Sequence, residues 1–118
     1  MATYFKNVLE SSLGTTETKV LSVANNARAT VIGLSLSNLT GGIVLADLRI
    51  EQLDDIALPS PTVEGSAYYI KGVVIPPNQS LRVINGGEKL VLSPSTKVYV
   101  TSTVDDSLDL VMSYVEII

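Results

Sequence analysis

The part of the chain from Tyr68 to Ile117 breaks into five short β-like runs bounded by turn chemistry, and this segmentation constrains the fold more than any other feature. Residues 68–75 end at Pro76-Pro77-Asn78, where two prolines remove ladder donors. Residues 80–84 end at Asn85-Gly86-Gly87, the strongest hairpin signal present, because a type I′ turn needs positive φ at both central residues. Residues 90–92, 98–101 and 108–117 follow, separated by Ser93-Pro94-Ser95 and Asp105-Asp106-Ser107. Apolar side chains recur at every second position, not at the three- and four-residue spacing of a helix. Gly72 inside a strand marks a bulge or a close backbone approach, and a bulge there would put Tyr68, Ile70, Val73 and Ile75 on one face.

The preceding half follows the same pattern. In residues 3–13, Phe5, Val8 and Leu9 do not alternate cleanly, which predicts a bulge or break near Lys6-Asn7. Residues 18–23 carry Val20 and Leu21 between two turns. Residues 28–38 place Ile32, Leu34 and Leu36 on one face and Gly33, Ser35 and Ser37 on the other. Residues 43–52 place Val44, Ala46, Leu48 and Ile50 opposite Asp47, Arg49 and Glu51. These two runs are expected to form a hairpin of firm register, because a one-residue slip would expose the apolar set and bury the charges.

Residues 53–66 form the longest connection, broken by Pro59-Ser60-Pro61 and Glu64-Gly65-Ser66. Long loops inside compact domains are usually functional or mobile. Ile56, Leu58 and Val63 would be wasted on a bare loop, so the segment is expected to dock on a neighbour. The last run sharpens that expectation. Leu108, Leu110, Met112 and Tyr114 share one face, yet the opposite face carries Val111, Val115 and Ile117. A solvated face does not call for Val, Val and Ile; either the strand is covered on both sides or that face meets another chain. The fold class that follows is all-β, an antiparallel β-sandwich or jelly roll of eight or nine short strands, in a single domain over residues 1–118.

Composition removes most chemistry. There is no cysteine and no histidine, which excludes thiolate catalysis, disulfides, Cys-type zinc sites and the commonest general base near neutral pH. There is no tryptophan to stack a sugar. The net charge of −4, with eight scattered Lys and Arg, argues against a nucleic-acid partner. No signal peptide is recognisable after Met1, and no apolar run approaches the roughly 20 residues of a membrane helix, so no membrane partner is expected. Asp54-Asp55 and Asp105-Asp106 could contribute oxygen ligands to a cation, but neither has EF-hand spacing, and turn-capping is the reading adopted. Asn38-Leu39-Thr40 and Asn78-Gln79-Ser80 match a glycosylation acceptor and are read as chance. Charged residues are only 17% of the chain, as expected of a surface covered by partners or of a Ser/Thr-rich β protein.

Several stretches together resemble small virion structural proteins of tailed bacteriophages. They are Ser66-Ala67-Tyr68-Tyr69-Ile70-Lys71, Ile75-Pro76-Pro77-Asn78-Gln79-Ser80-Leu81, Gly86-Gly87-Glu88-Lys89-Leu90-Val91-Leu92, residues 28–34 and the closing residues 107–117. Residues 53–63 depart from the shorter pattern of that group. The resemblance implies a non-enzymatic virion component with no cofactor and no catalytic residue to carry over. It would decorate or cement the head, or sit at the neck, tail or baseplate. Its expected partners are copies of itself, in a trimer or higher ring, and other virion proteins such as the major capsid or tail and neck proteins. The candidate interface residues are Ile56, Leu58, Val63, Val111, Val115 and Ile117. The competing reading is a carbohydrate- or receptor-binding module of a fibre or spike, with Tyr69, Tyr99 and the carboxylates lining its site.

Overall fold

The computed structural model describes residues 2–53, 63–85 and 87–118, and all of its regular structure is strand. The nine strands are β1 (Thr3–Leu13), β2 (Thr18–Ser22), β3 (Arg28–Asn38), β4 (Val44–Leu53), β5 (Val63–Ile75), β6 (Ser80–Ile84), β7 (Leu90–Leu92), β8 (Thr96–Ser102) and β9 (Leu108–Ile117). They form two antiparallel sheets. Sheet A runs β1-β9-β3-β6, with β7 also on β3; sheet B runs β2-β8-β4-β5. Among the described residues no helix is long and apolar enough to cross a membrane.

The order is that of a jelly roll. β4 pairs β5, β3 pairs β6 and β7, β2 pairs β8, and β1 pairs β9. The chain is thus one long nested hairpin rolled so that alternate pairs fall in opposite sheets. Between the sheets, Leu34 and Leu36 of β3 and Leu108, Leu110 and Met112 of β9 meet Val44, Ala46 and Leu48 of β4, Ile75 of β5 and Val98 and Val100 of β8. Full burial of each Leu, Ile, Val or Met contributes about 1.5–3 kcal/mol.

Several local expectations are corrected. β3 and β4 do not form a hairpin: they lie in different sheets. The link between them is a corner fastened by Asn38, which is 2% exposed. Its Nδ2 donates to the carbonyls of Gly42 (2.9 Å), Ile75 (2.9 Å) and Pro76 (3.2 Å). Its Oδ1 accepts from the Thr40 amide (2.9 Å) and hydroxyl (2.8 Å). One buried side chain therefore ties the end of β3 to the start of β4 and to the β5–β6 turn. Asn38 is packed away from solvent, so its acceptor motif has no structural meaning.

The strand flanking Asn85 does not fold back either. β6 pairs residues 34–37 of β3 and β7 pairs residues 29–31, so the two lie end to end along one edge. In β3 the register shifts between Val31 and Gly33, which turns Ile32 outward while Ala29, Val31, Leu34 and Leu36 stay buried. In β1 the pairing with β9 is unbroken from Thr3 to Glu10; the bulge lies between Glu10 and Leu13, at Ser12 with φ 58°.

Of the two readings of Gly72 the structure shows the bulge, with φ 63°, and its amide donates to Asp47 Oδ1 (2.6 Å). A further shift between Leu48 and Arg49 places Tyr68 beside Arg49 on the outer face of sheet B, while Ile70 and Tyr69 pack on the core. Tyr68 and Ile70 therefore do not share a face. The predicted 53–66 loop is shorter than expected, because β4 runs to Leu53 and β5 starts at Val63.

Candidate interaction surface

The two outer faces of the sandwich differ in chemistry. Sheet B presents charge. Arg49 stacks its guanidinium 4.5 Å from the centre of the Tyr99 ring. Its Nε and Nη2 donate to both oxygens of Glu17 (2.9 and 2.8 Å), and its Nη1 donates to Glu51 (3.0 Å) and Ser66 (2.8 Å). The hydrogen bonds from Arg49 hold the Glu17 carboxyl below its usual range, against a smaller opposing effect of burial. Lys71 bonds Asp47 (3.1 Å) and lies over the Tyr68 ring. These groups are mutually satisfied and wet, as a solvent face should be.

Sheet A presents the reverse. The strand register sets its outer residues in rows. Phe5, Val115, Thr30 and Val91 form one row, and Leu9, Val111, Ser35 and Arg82 another. Four residues separate the rows along β1 and β9, about 13 Å. Phe5 is 81% exposed, Leu9 and Val91 each 69%, Val111 48%, and Ile32 and Ile117 each 38%. The positions between them are mostly Thr, Asn and Ser. Arg28, Arg82 and Asp109 are the charged residues among those facing outward in these paired strands. Asp109 is engaged by the Ser12 amide at 3.0 Å. A shallow depression of about 310 Å³ opens between the rows, lined in part by Ile32, Ser35, Arg82, Asn85, Val111 and Ser113. Scattered apolar residues on a surface are ordinary; six large ones on one sheet face with few charges make it the candidate interaction surface.

Of the six interface candidates, the structure brings Val111, Val115 and Ile117 together on this face. Val63 is the first residue of β5, on the other sheet; Ile56 and Leu58 lie outside the described residues. Phe5, Leu9, Ile32 and Val91 belong to the surface but escape sequence reasoning. Phe5 and Leu9 share a face at four-residue spacing, which period-2 counting could have found. Ile32 and Val91 could not be found, since their orientation depends on a bulge and on which strand β7 joins.

The residues of the ligand-binding alternative are not assembled. Tyr99 faces outward on sheet B with Arg49 over its ring. Tyr69 packs against the core, its hydroxyl 3.4 Å from Glu88. Asp105 caps a turn: its Oδ1 accepts from the Thr15 amide (2.9 Å) and hydroxyl (2.7 Å). Gly14 permits this approach, since a Cβ there would sit 2.7 Å from Asp105 Oδ1 and 2.9 Å from its Cα. Among the described residues no cluster of three acidic side chains is placed to hold a metal ion.

The Thr15 hydrogen bonds lower the Asp105 pKa from its ordinary value of 3.8, the amide contributing most. A depressed carboxyl pKa adds stability that is present above the unfolded value and lost as pH falls through the folded one. Asp105→Asn keeps an acceptor but not the charge. Its melting temperature should fall below that of the native chain at pH 7, and the gap should narrow as pH falls below the ordinary value of 3.8. A gap that does not narrow at all on acidification would contradict this account.

With this geometry in place, comparison with known proteins is informative at the level of fold. No protein-family model matches the chain, and no curated protein matches it. Jelly rolls of this kind build viral capsid and lectin domains. Among solved structures, the chain is similar to one from the T13 infectious bursal disease virus particle, with a TM-score of 0.58 at 10% identity. The match covers 97% of this chain and 30% of that one. It is also similar to a chain of the infectious bursal disease virus VP2 subviral particle, with a TM-score of 0.45 at 12% identity over 98% and 32% of the two chains. That second likeness is too loose to carry an argument. This chain spans less than a third of the length of either, and the likeness is one of fold.

Proposed function

We propose that the chain is a non-enzymatic structural subunit of a virion, acting through self-association and contacts with other virion proteins. The observation that carries this reading is the outer face of sheet A, with six large exposed apolar residues and few charges, against the ion-paired outer face of sheet B. The fold likeness to a viral-particle chain supports it. The sequence resemblance to tailed-phage proteins supports the finer placement, as a capsid decoration or cement protein or a neck or tail component.

Mechanistically, the sandwich supplies a stiff platform and the sheet A face supplies adhesion. Burying Phe5, Leu9, Val91 and Val111 contributes on the order of 5–10 kcal/mol. That is comparable to the translational and rotational cost of one association. A single contact of this size is weak. Many copies on a symmetric particle, or a trimer or higher ring, make it strong through effective concentration.

The test is binding of the purified chain to particles assembled without it, followed by co-sedimentation. Saturable binding at a fixed ratio to the particle subunits is expected. A monomer that ignores such particles but binds a glycan array would overturn the reading in favour of the receptor-binding alternative.

A further inference from the structure

We infer that β1 is a pairing edge for β1 of a second copy, joining the two A sheets into one continuous sheet across a two-fold axis at Asn7. This names the partner and contact for the self-association proposed above, and it rests on that reading.

The argument starts with hydrogen bonds. Ala2 and Ile118 exchange both backbone bonds, at 2.8 and 2.9 Å. The register then alternates without interruption from Thr3↔Ile117 to Glu10↔Leu110. In an antiparallel ladder every second residue turns its N–H and C=O away from its partner strand. In β1 these are Thr3, Phe5, Asn7 and Leu9. Their donors and acceptors point off the sheet, where β1 has no neighbour in the strand order among the described residues.

The other edges are defended in ways β1 is not. β5 has three register shifts in its pairing, with Gly72 in the left-handed region and Lys71 beside it. The β6–β7 edge is interrupted between Ile84 and Leu90, and β2 is five residues long. Natural edges are blunted by bulges, breaks, shortness or inward charge. β1 has eight consecutive regular residues, no glycine and no proline. Its one lysine, Lys6, is already bound to Glu116 of its own sheet at 2.7 Å.

The edge is also self-complementary. A two-fold axis at Asn7 sets Phe5 opposite Leu9 of the second copy, and Leu9 opposite the second copy's Phe5. Those are two of the most exposed apolar side chains of the protein, both on the outer face of sheet A. On the opposite side of the strand, Lys6 lies opposite Val8 and diagonal to Glu10 of the second copy, so opposite charges approach. The pairs at residues 5, 7 and 9 exchange about six backbone hydrogen bonds. The sheet A faces of both copies then form one surface twice as wide.

Because the chain contains no cysteine, the contact can be read by cross-linking. Asn7→Cys places two thiols across the axis with Cα atoms about 5.5 Å apart. With a short thiol-to-thiol cross-linker, the covalent dimer should form at least about ten-fold faster than from Val91→Cys, which lies on the far edge of the same face. A mixture of Phe5→Cys and Leu9→Cys chains should cross-link faster than either variant alone.

Equal rates at Asn7 and Val91 would overturn the inference, and would leave the β1 edge to a strand from another protein. Particle binding separates the two proposals. Binding to deficient particles with no cross-linking at Asn7 overturns the strand pairing and keeps the assembly role. Cross-linking without particle binding supports the strand pairing and overturns the assembly role.

Discussion

Asn38→Asp should cost the fold about 3–5 kcal/mol, as expected for a buried charge without a counter-charge. The Asn38 carboxamide stands among three carbonyl oxygens, from Gly42, Ile75 and Pro76, all of which need a donor. A carboxylate of nearly the same shape turns every one of those attractions into repulsion and cannot reach water. The effect should depend on pH. The introduced carboxyl is favoured in its neutral form inside the fold, so its pKa is raised. The penalty is absent below the unfolded value of about 3.9 and grows as pH rises from there towards the folded value. Urea titration at pH 7 and at pH 3.5 measures both effects. A loss below about 1 kcal/mol at pH 7 would show that the corner between the sheets does not depend on Asn38. Asn38→Leu separates charge from hydrogen bonding: it should cost less than the carboxylate, since it leaves unpaired carbonyls and an unpaired Thr40 amide but buries no charge.

The second large effect is on association. Val111→Lys should weaken particle binding by at least about a hundred-fold while changing stability by less than about 1 kcal/mol. Val111 sits in the central strand β9 with its side chain outward, so the substitution leaves the core facing β4 and β8 untouched. An ammonium in an otherwise apolar contact must either stay wet, which opens the interface, or be buried unpaired. Thr101→Lys, on the charged sheet B face, is the control and should do neither. Sedimentation velocity and urea titration on the same preparations distinguish loss of contact from loss of fold. Binding by Val111→Lys equal to that of the native chain would remove the sheet A face from the assembly. Cross-linking at Asn7 should survive Val111→Lys, because Val111 is not part of the β1 edge.

The contrast between the two faces explains why one was legible early and the other was not. In β9 both faces are written in one uninterrupted run, so Val111, Val115 and Ile117 stand out against Leu108, Leu110 and Met112 by counting alone. In β3 the same counting misplaces Ile32, because a single extra residue before Gly33 inverts the parity. Gly72 gave notice of its bulge, since a left-handed backbone selects glycine; Ile32 gave none, since its bulge needs no special residue. Asn85-Gly86-Gly87 has the composition that closes a hairpin. The two strands it links instead both add to β3, and nothing within those residues reveals that.

What the amino-acid order determined by itself is local: where strands begin and stop, which side chains alternate, and which chemistries are absent. Turn residues act over three or four positions and the pleat repeats every two, so both are readable without knowing any partner. What only the tertiary structure decided is pairing. Thr3 meets Ile117 across nearly the whole chain, β3 leaves β4 for β9, and Phe5 and Leu9 become one surface with Val111 and Val115. These contacts exist because the nested hairpin rolls up as a whole, and the side chains that meet are chosen by the closure of the two sheets. The surface proposed to act is one that neither half of the sequence contains alone.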